Sequence, residues 1–332
     1  MIGDAFGVPL EGASPRFLAE VVERRSRSCG PWGYSDDSAM LLACAEALVT
    51  AGTIQPVELF RAFADVYEPA RGFGRGMKIA IAAFNAGTPW DQCALKAWPE
   101  GSRGNGGAVR IPAVAVVRWR DAAAFDEAVY LATRTTHAHT DALSYARLQA
   151  VALAAVLATP EVVDDLAAFH SAILARLSPA PNSMVEKLAQ IFELVAREAS
   201  IDDAVRSLGT STLAAESVPA ALWSFASKHR SFSEAIASAA RLGGDVDSIC
   251  CLVGALAGAL HGAEAIDRQW ISNLAREQPS PTEILVLADR LHDLVPTSPE
   301  SMSAEACVGI AGYQGPKVEL DAMDPVRFAG KL

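Results

Sequence analysis

Residues 243–262 read GGDVDSICCLVGALAGALHG, and this stretch constrains the fold more than any other. From Ile249 to Leu260 it carries no charge and is too short to span a bilayer, so a helix buried in a protein core is expected. Asp245 and Asp247 stand directly before it. Stripping water from a carboxylate is costly, so a chain that places two of them at the mouth of a buried helix must also supply something that compensates their charge.

Helical patterning runs through most of the chain. Apolar residues recur at helical spacing in Ser38–Gly52, Pro56–Glu68, Ala142–Ala158, Met184–Ala199, Ser231–Gly244 and Pro281–Val295. Gly52 is placed to end the first of these and Pro56 to open the second. Only Arg110–Trp119 has a strand-like β-branched bias, and Pro112 within it makes a helix an equal alternative. No repeat and no long linker interrupt the pattern. The expectation is an all-α fold, one helical domain over residues 1–295, with an irregular tail over 296–332 where Pro, Gly and Ser replace the periodicity.

With 332 residues, 51% of them hydrophobic, the chain can bury a large core. A net charge of −11 argues against nucleic acid or an anionic membrane as partner. The six cysteines form no CxxC pair and are expected to be reduced and mostly buried. The first residues carry no basic leader or apolar h-region, which points to a soluble, cytoplasmic protein, expected to be a monomer.

The helix mouth at Asp245 has a counterpart. GYSDDSAMLLACAEAL, residues 33–48, sets Ser35, Asp36, Asp37 and Ser38 before another apolar run. One such site is explained by capping, because Ser and Asp are favoured N-caps and acids suit the positive end of a helix. Two are not. A cap uses one side-chain oxygen, and four Asp brought together from two helix ends would repel strongly without a cation between them. Carboxylates and hydroxyls are hard ligands, so Mg²⁺ or Mn²⁺ is favoured over zinc, and two facing clusters suit a two-metal site. Glu11 and Asp4, in GDAFGVPLEG, are each open to a turn role or a site role.

These blocks resemble the ADP-ribosylglycohydrolase family, which includes the dinitrogenase reductase-activating glycohydrolases and the ADP-ribosyl-acceptor hydrolases. GDAFGVPLEG resembles the family's G-D-x-x-G-x-x-x-E, SDDS its T-D-D-T, and GGDVDS its G-G-D-T-D-[ST]. Residues 74–87, 101–112 and 136–142 match further blocks in the same order. The resemblance implies an all-helical, orthogonal multi-helix domain whose central cleft binds two Mg²⁺ or Mn²⁺ ions. By position, Ser35, Asp36, Asp37, Asp245, Asp247 and Ser248 would form the metal shell. Glu11 matches a metal-linked glutamate that gates or activates the site. Gly104, Asn105, Gly106 and Gly107 would form the ADP-ribose-binding loop, with Ser102 near the distal ribose and His137 near the diphosphate or adenosine. Serines replace both threonines of the first motif and Val246 a third, while the hydroxyl ligands are kept. The match begins at the chain's first residues, so the helix that normally precedes it is almost entirely missing: either the start site is misplaced or the protein tolerates a shortened first helix, which would leave Glu11 less firmly held.

The implied reaction is hydrolysis at C1″ of ADP-ribose linked to a protein or small molecule, with Glu11 or Asp36 taking the proton of water. An acid stands at the position of Ser102 in some arginine-specific members, so its absence leaves the linkage open. Two other readings share the acidic set: a non-catalytic ADP-ribose binder or toxin-neutralising protein, and a metal-dependent phosphohydrolase. His139 and His261 are expected to be structural.

Overall fold

Apolar periodicity becomes helix throughout residues 1–13 and 17–297, which the computed structural model describes. In chain order these are α1 (Ile2–Gly7), α2 (Leu18–Ser26), α3 (Asp36–Ala51), α4 (Pro56–Asp65), α5 (Arg75–Asn85) and α6 (Trp90–Cys93). Next come α7 (Gly106–Arg118), α8 (Ala122–Arg134), α9 (Thr140–Ala158), α10 (Leu166–Leu177), α11 (Asn182–Ala196) and α12 (Ile201–Leu208). The last are α13 (Ala214–Lys228), α14 (Phe232–Arg241), α15 (Val246–His261), α16 (Arg268–Asn273) and α17 (Pro281–His292). Among the described residues there is no strand, only an isolated bridge between Gly104 and Leu213. Residues 298–332, most of the expected irregular tail, lie outside the described residues.

Helix boundaries follow local chemistry. Gly52 ends α3 in the left-handed conformation (φ 72°), and its N–H donates to Leu48 O. Pro56 opens α4. The ambiguous segment 110–119 resolves as helix. It lies in α7 with Trp119 as C-cap, and every residue of α7 except Val116 is buried. A helix apolar all round shows no amphipathic period, so its valines and isoleucine read as strand-like in sequence.

α7, α9, α13 and α15 pack on one another at the centre of one continuous cluster of buried apolar side chains. α9 is long and apolar enough to cross a bilayer, yet most of it is buried by its neighbours, as expected of a core helix. Among the described residues the cysteines are free; Cys44, Cys93, Cys250 and Cys251 are buried and Cys29 is exposed.

The site is positioned by one close contact. α1 lies against the start of α15 with no room for side chains. A Cβ on Gly3 would stand 2.0 Å from Cys250 O, and one on Gly7 would stand 2.6 Å from Asp247 Cα. Glycine at both positions lets the two backbones touch, and this brings Asp4 and Glu11 to the acidic end of α15.

Candidate active site

The first helix mouth is capped twice. Ser35 is the N-cap of α3, and its Oγ accepts from Asp37 N–H at 3.2 Å. Asp4, fully buried on α1, accepts from Ser35 N–H at 3.1 and 3.2 Å and from Ser38 N–H at 3.1 Å. With these donors satisfied, neither Asp36 nor Asp37 is needed as a cap. The Ser38 hydroxyl is buried and has no partner.

The second mouth differs. Asp245 is the N-cap of α15 by position, but its side chain makes no capping bond. Its Oδ2 accepts from Asn105 Nδ2 at 2.5 Å, and Asn105 Nδ2 also donates to Ser217 Oγ. Gly244 lies at φ 73° directly against Thr210, where a Cβ would meet Thr210 O at 2.1 Å, and Asp245 N–H donates to that carbonyl. The turn into α15 is therefore held by Thr210, so the Asp245 carboxylate is not needed as a cap. Ser248 Oγ donates to Asp37 Oδ2 at 2.7 Å and so joins the two mouths directly. One carboxylate oxygen from each of Glu11, Asp245 and Asp247 falls within 4.8 Å of the others.

This convergence has an electrostatic consequence. Burial raises the Asp36 carboxyl to about 7, and repulsion from Asp4, Asp245 and Glu11 adds to it. Burial raises Asp247 to about 8, reinforced by Asp245, Asp4 and Glu11. Asp37 is pushed well above its ordinary value by burial and then by Asp36 and Asp247, and Asp245 is raised by burial. Among the described residues, no cationic side chain is a leading influence on any of the four. Arg71 is adjacent to Gly72, whose Cβ position is 3.5 Å from Asp36 Oδ1, but its guanidinium bonds Tyr34 O, Glu277 and Glu68. Clustered hard oxygens, an orphaned hydroxyl and the lack of a protein cation fit a divalent ion such as Mg²⁺ or Mn²⁺. Burial pushes the nearby thiols of Cys250 and Cys251 well above their ordinary value.

A second feature borders the acids through Asn105. Ser102 Oγ accepts from Gly104 N–H, and Asn105 N–H donates to Thr212 O. Of the loop amides, those of Gly106 and Gly107, in the first turn of α7, are left without an intrachain acceptor among the described residues. The glycines also meet packing demands. A Cβ on Gly104 would stand 3.3 Å from His137 Nε2, one on Gly106 would stand 2.8 Å from His137 Cε1, and one on Gly107 would stand 2.6 Å from Thr133 Cγ2. The Nε2 edge of His137 thus lies against Gly104 and Gly106.

A family model for ADP-ribosylglycohydrolase matches residues 1–300. The chain belongs to the ADP-ribosylglycohydrolase family. It is a glycohydrolase enzyme. The ADP-ribosylhydrolase ARH3 of Danio rerio is 29% identical, over 81% of this chain and 82% of its own. The ADP-ribosylhydrolase ARH3 of Homo sapiens is 26% identical, over 78% of each. The ADP-ribosylarginine hydrolase Tri1 of Pseudomonas putida is 27% identical, over 89% of this chain and 76% of its own. A solved "ADP-ribosylglycohydrolase-related protein complex" has the same fold, with a TM-score of 0.61 at 24% identity over 89% of this chain and 94% of that one.

In this ADP-ribosylglycohydrolase the structure brings together Glu11, Asp36, Asp37, Asp245, Asp247 and Ser248, and sets Ser35 beneath them as a cap. Gly104, Gly106, Gly107 and His137 form one wall, while the side chain of Asn105 is committed to Asp245. His139 caps α9, with Nδ1 accepting from Asp141 N–H, and His261 bonds His229 O at the end of α15; both are structural. The role of Asp4 could not be read from sequence, because its partners are backbone amides 31 and 34 residues away. Asp4→Ala, measured at pH 5 where Asp36 and Asp247 are protonated and repulsion is small, is expected to lose about 2 kcal/mol from the two charge-assisted bonds. The urea midpoint should fall with an unchanged slope.

Proposed function

We propose that this protein hydrolyses the glycosidic bond at C1″ of ADP-ribose attached to a protein side chain or a small acceptor, reversing ADP-ribosylation. The observation that carries this reading is the meeting of two helix mouths, in which four carboxylates are raised above their ordinary values with no offsetting cationic side chain among the described residues. Ser35, Asp36, Asp37, Asp245, Asp247 and Ser248 would hold two divalent ions, Mg²⁺ or Mn²⁺. When bound, the ions supply fixed positive charge that orients ribose hydroxyls and lowers the pKa of water.

The chain's own groups do the rest. Glu11 is exposed, and its oxygen lies within 4.8 Å of those of Asp245 and Asp247, so it can take the proton of the attacking water and return it to solvent. The half-buried Asp36 is assigned to ion holding. The water oxygen bonds to C1″ as the bond to the acceptor breaks, and the departing acceptor atom takes a proton from solvent, balancing the one that Glu11 releases there. Ser248 fixes Asp37 and Asn105 fixes Asp245, so the carboxylates need not reorganise as charge develops on the sugar. On the adjoining wall, the amides of Gly106 and Gly107 with His137 would face the diphosphate, and Ser102 the distal ribose.

The protein, supplied with Mg²⁺ or Mn²⁺, should release free ADP-ribose from ADP-ribosyl-arginine or ADP-ribosyl-serine peptides; the better substrate names the linkage. Tight ADP-ribose binding without turnover would instead make it a binder, and release of AMP or phosphate a phosphohydrolase.

A further inference from the structure

Arg110 is fully buried, and no acid pairs with it. Its Nη1 donates to Gly106 O at 3.0 Å, and its Nε and Nη2 to Ala132 O at 3.0 and 2.8 Å. Nη2 also donates to Thr133 O at 3.1 Å and to Thr136 Oγ1 at 2.6 Å. The guanidinium stacks on Phe63, 4.7 Å from the ring centroid. Cys44 is the one ionisable neighbour that favours its charge, and burial holds that thiol near 12, so it is neutral. Every donor bond is therefore made to a neutral acceptor. A buried charge is ordinarily paired, and here no counter-charge is supplied among the described residues.

The bonds lead to the site wall. Arg110 ties the first turn of α7, through Gly106 O, to the end of α8 and to Thr136. Thr136 Oγ1 lies 2.7 Å from His137 Nδ1. Because arginine only donates, Thr136 accepts from it, and the sole acceptor within reach of the Thr136 hydroxyl proton among the described residues is His137 Nδ1. His137 Nδ1 is then an acceptor and Nε2 carries the proton. Burial and the charge of Arg110 keep the ring neutral, with its pKa lowered to about 3.

We propose that Arg110 is a positioning residue for the glycine-loop wall: through Thr136 it locks His137 as the Nε2–H tautomer, and its unpaired charge stands behind the loop as the counter-charge to an anionic diphosphate. The second half rests on the reading that this wall faces the diphosphate of ADP-ribose.

Arg110→Met removes these five bonds from the core and risks unfolding, so the decisive pair is Thr136→Val and Thr136→Ser in the full chain. Valine keeps the volume and deletes the hydroxyl; serine restores it. ¹⁵N spectra of the histidine rings in the free protein should show His137 protonated on Nε2 in wild type and Thr136→Ser, and a mixed tautomer with a raised pKa in Thr136→Val. Calorimetric titration with free ADP-ribose should show Thr136→Val about tenfold weaker, Thr136→Ser within twofold of wild type, and adenosine binding equal in all three. An unchanged Nε2–H tautomer with full ADP-ribose affinity in Thr136→Val overturns the proposal. If wild type itself binds no ADP-ribose, the diphosphate reading and the counter-charge role fall together, and the nitrogen spectra alone decide the tautomer lock.

Discussion

Asp247→Ala is expected to slow ADP-ribose release by about 10²–10³-fold at saturating Mn²⁺, the scale lost when one preorganised group facing a developing charge is removed. In the absence of ion the same substitution should raise the melting temperature. Asp247 lies among Asp245, Asp4 and Glu11, and its carboxyl is raised to about 8, so burial and repulsion both oppose its ionisation. Deleting it relieves a cost that the ion-free fold bears at neutral pH. Activity and ion-free stability therefore move in opposite directions, as at sites where strain is kept for function. A destabilised variant could also lose activity, but its melting point would fall. The two measurements together separate a functional carboxylate from a structural one. Turnover within threefold of wild type would remove Asp247 from the mechanism.

Legibility in the sequence tracked the range of the interaction. The helical fold followed from local periodicity and from punctuation such as Gly52 and Pro56, which act within one turn. Segment 110–119 escaped that reading because its helix is buried on all sides. The pairing of the two acidic mouths was legible because each carries more oxygens than a cap can use, and the Ser248–Asp37 bond does join them. What sequence did not show were the groups that hold the acids. Asn105 reads as part of a glycine loop, yet its amide bonds Asp245, 140 residues away. Gly3 and Gly7 belong to the block that resembles the family's G-D-x-x-G, but their spacing does not show that they admit α1 to the start of α15. Arg110 looked like one more charge in an apolar run, although its bonds reach Gly106 and Thr136. Each of these depends on a contact across helices, and no periodicity encodes it.

Between pH 6.5 and 8.5 the ion-free protein is expected to lose on the order of 3 kcal/mol of stability. Asp36 at about 7 and Asp247 at about 8 keep their protons in the folded state above the ordinary aspartate value of 3.8. Across this window the folded state binds more protons than the unfolded state, so stability falls as pH rises through those two values. Asp37 and Asp245, also raised, act with the same sign. His137 acts in the opposite sense. Its pKa is lowered to about 3, so folding excludes its proton and stability rises with pH up to the ordinary value of 6.5. The fall is therefore read above 6.5, where His137 no longer contributes. In a melting experiment it corresponds to a drop of about 4 °C. A divalent ion present at a hundred times its dissociation constant should restore about 2.7 kcal/mol. The restoration should be larger at pH 8.5 than at pH 6.5, because protons compete with the ion for the same oxygens. A melting temperature flat across this range without ion, or an ion-induced gain independent of pH, would mean that the carboxylates do not share one site.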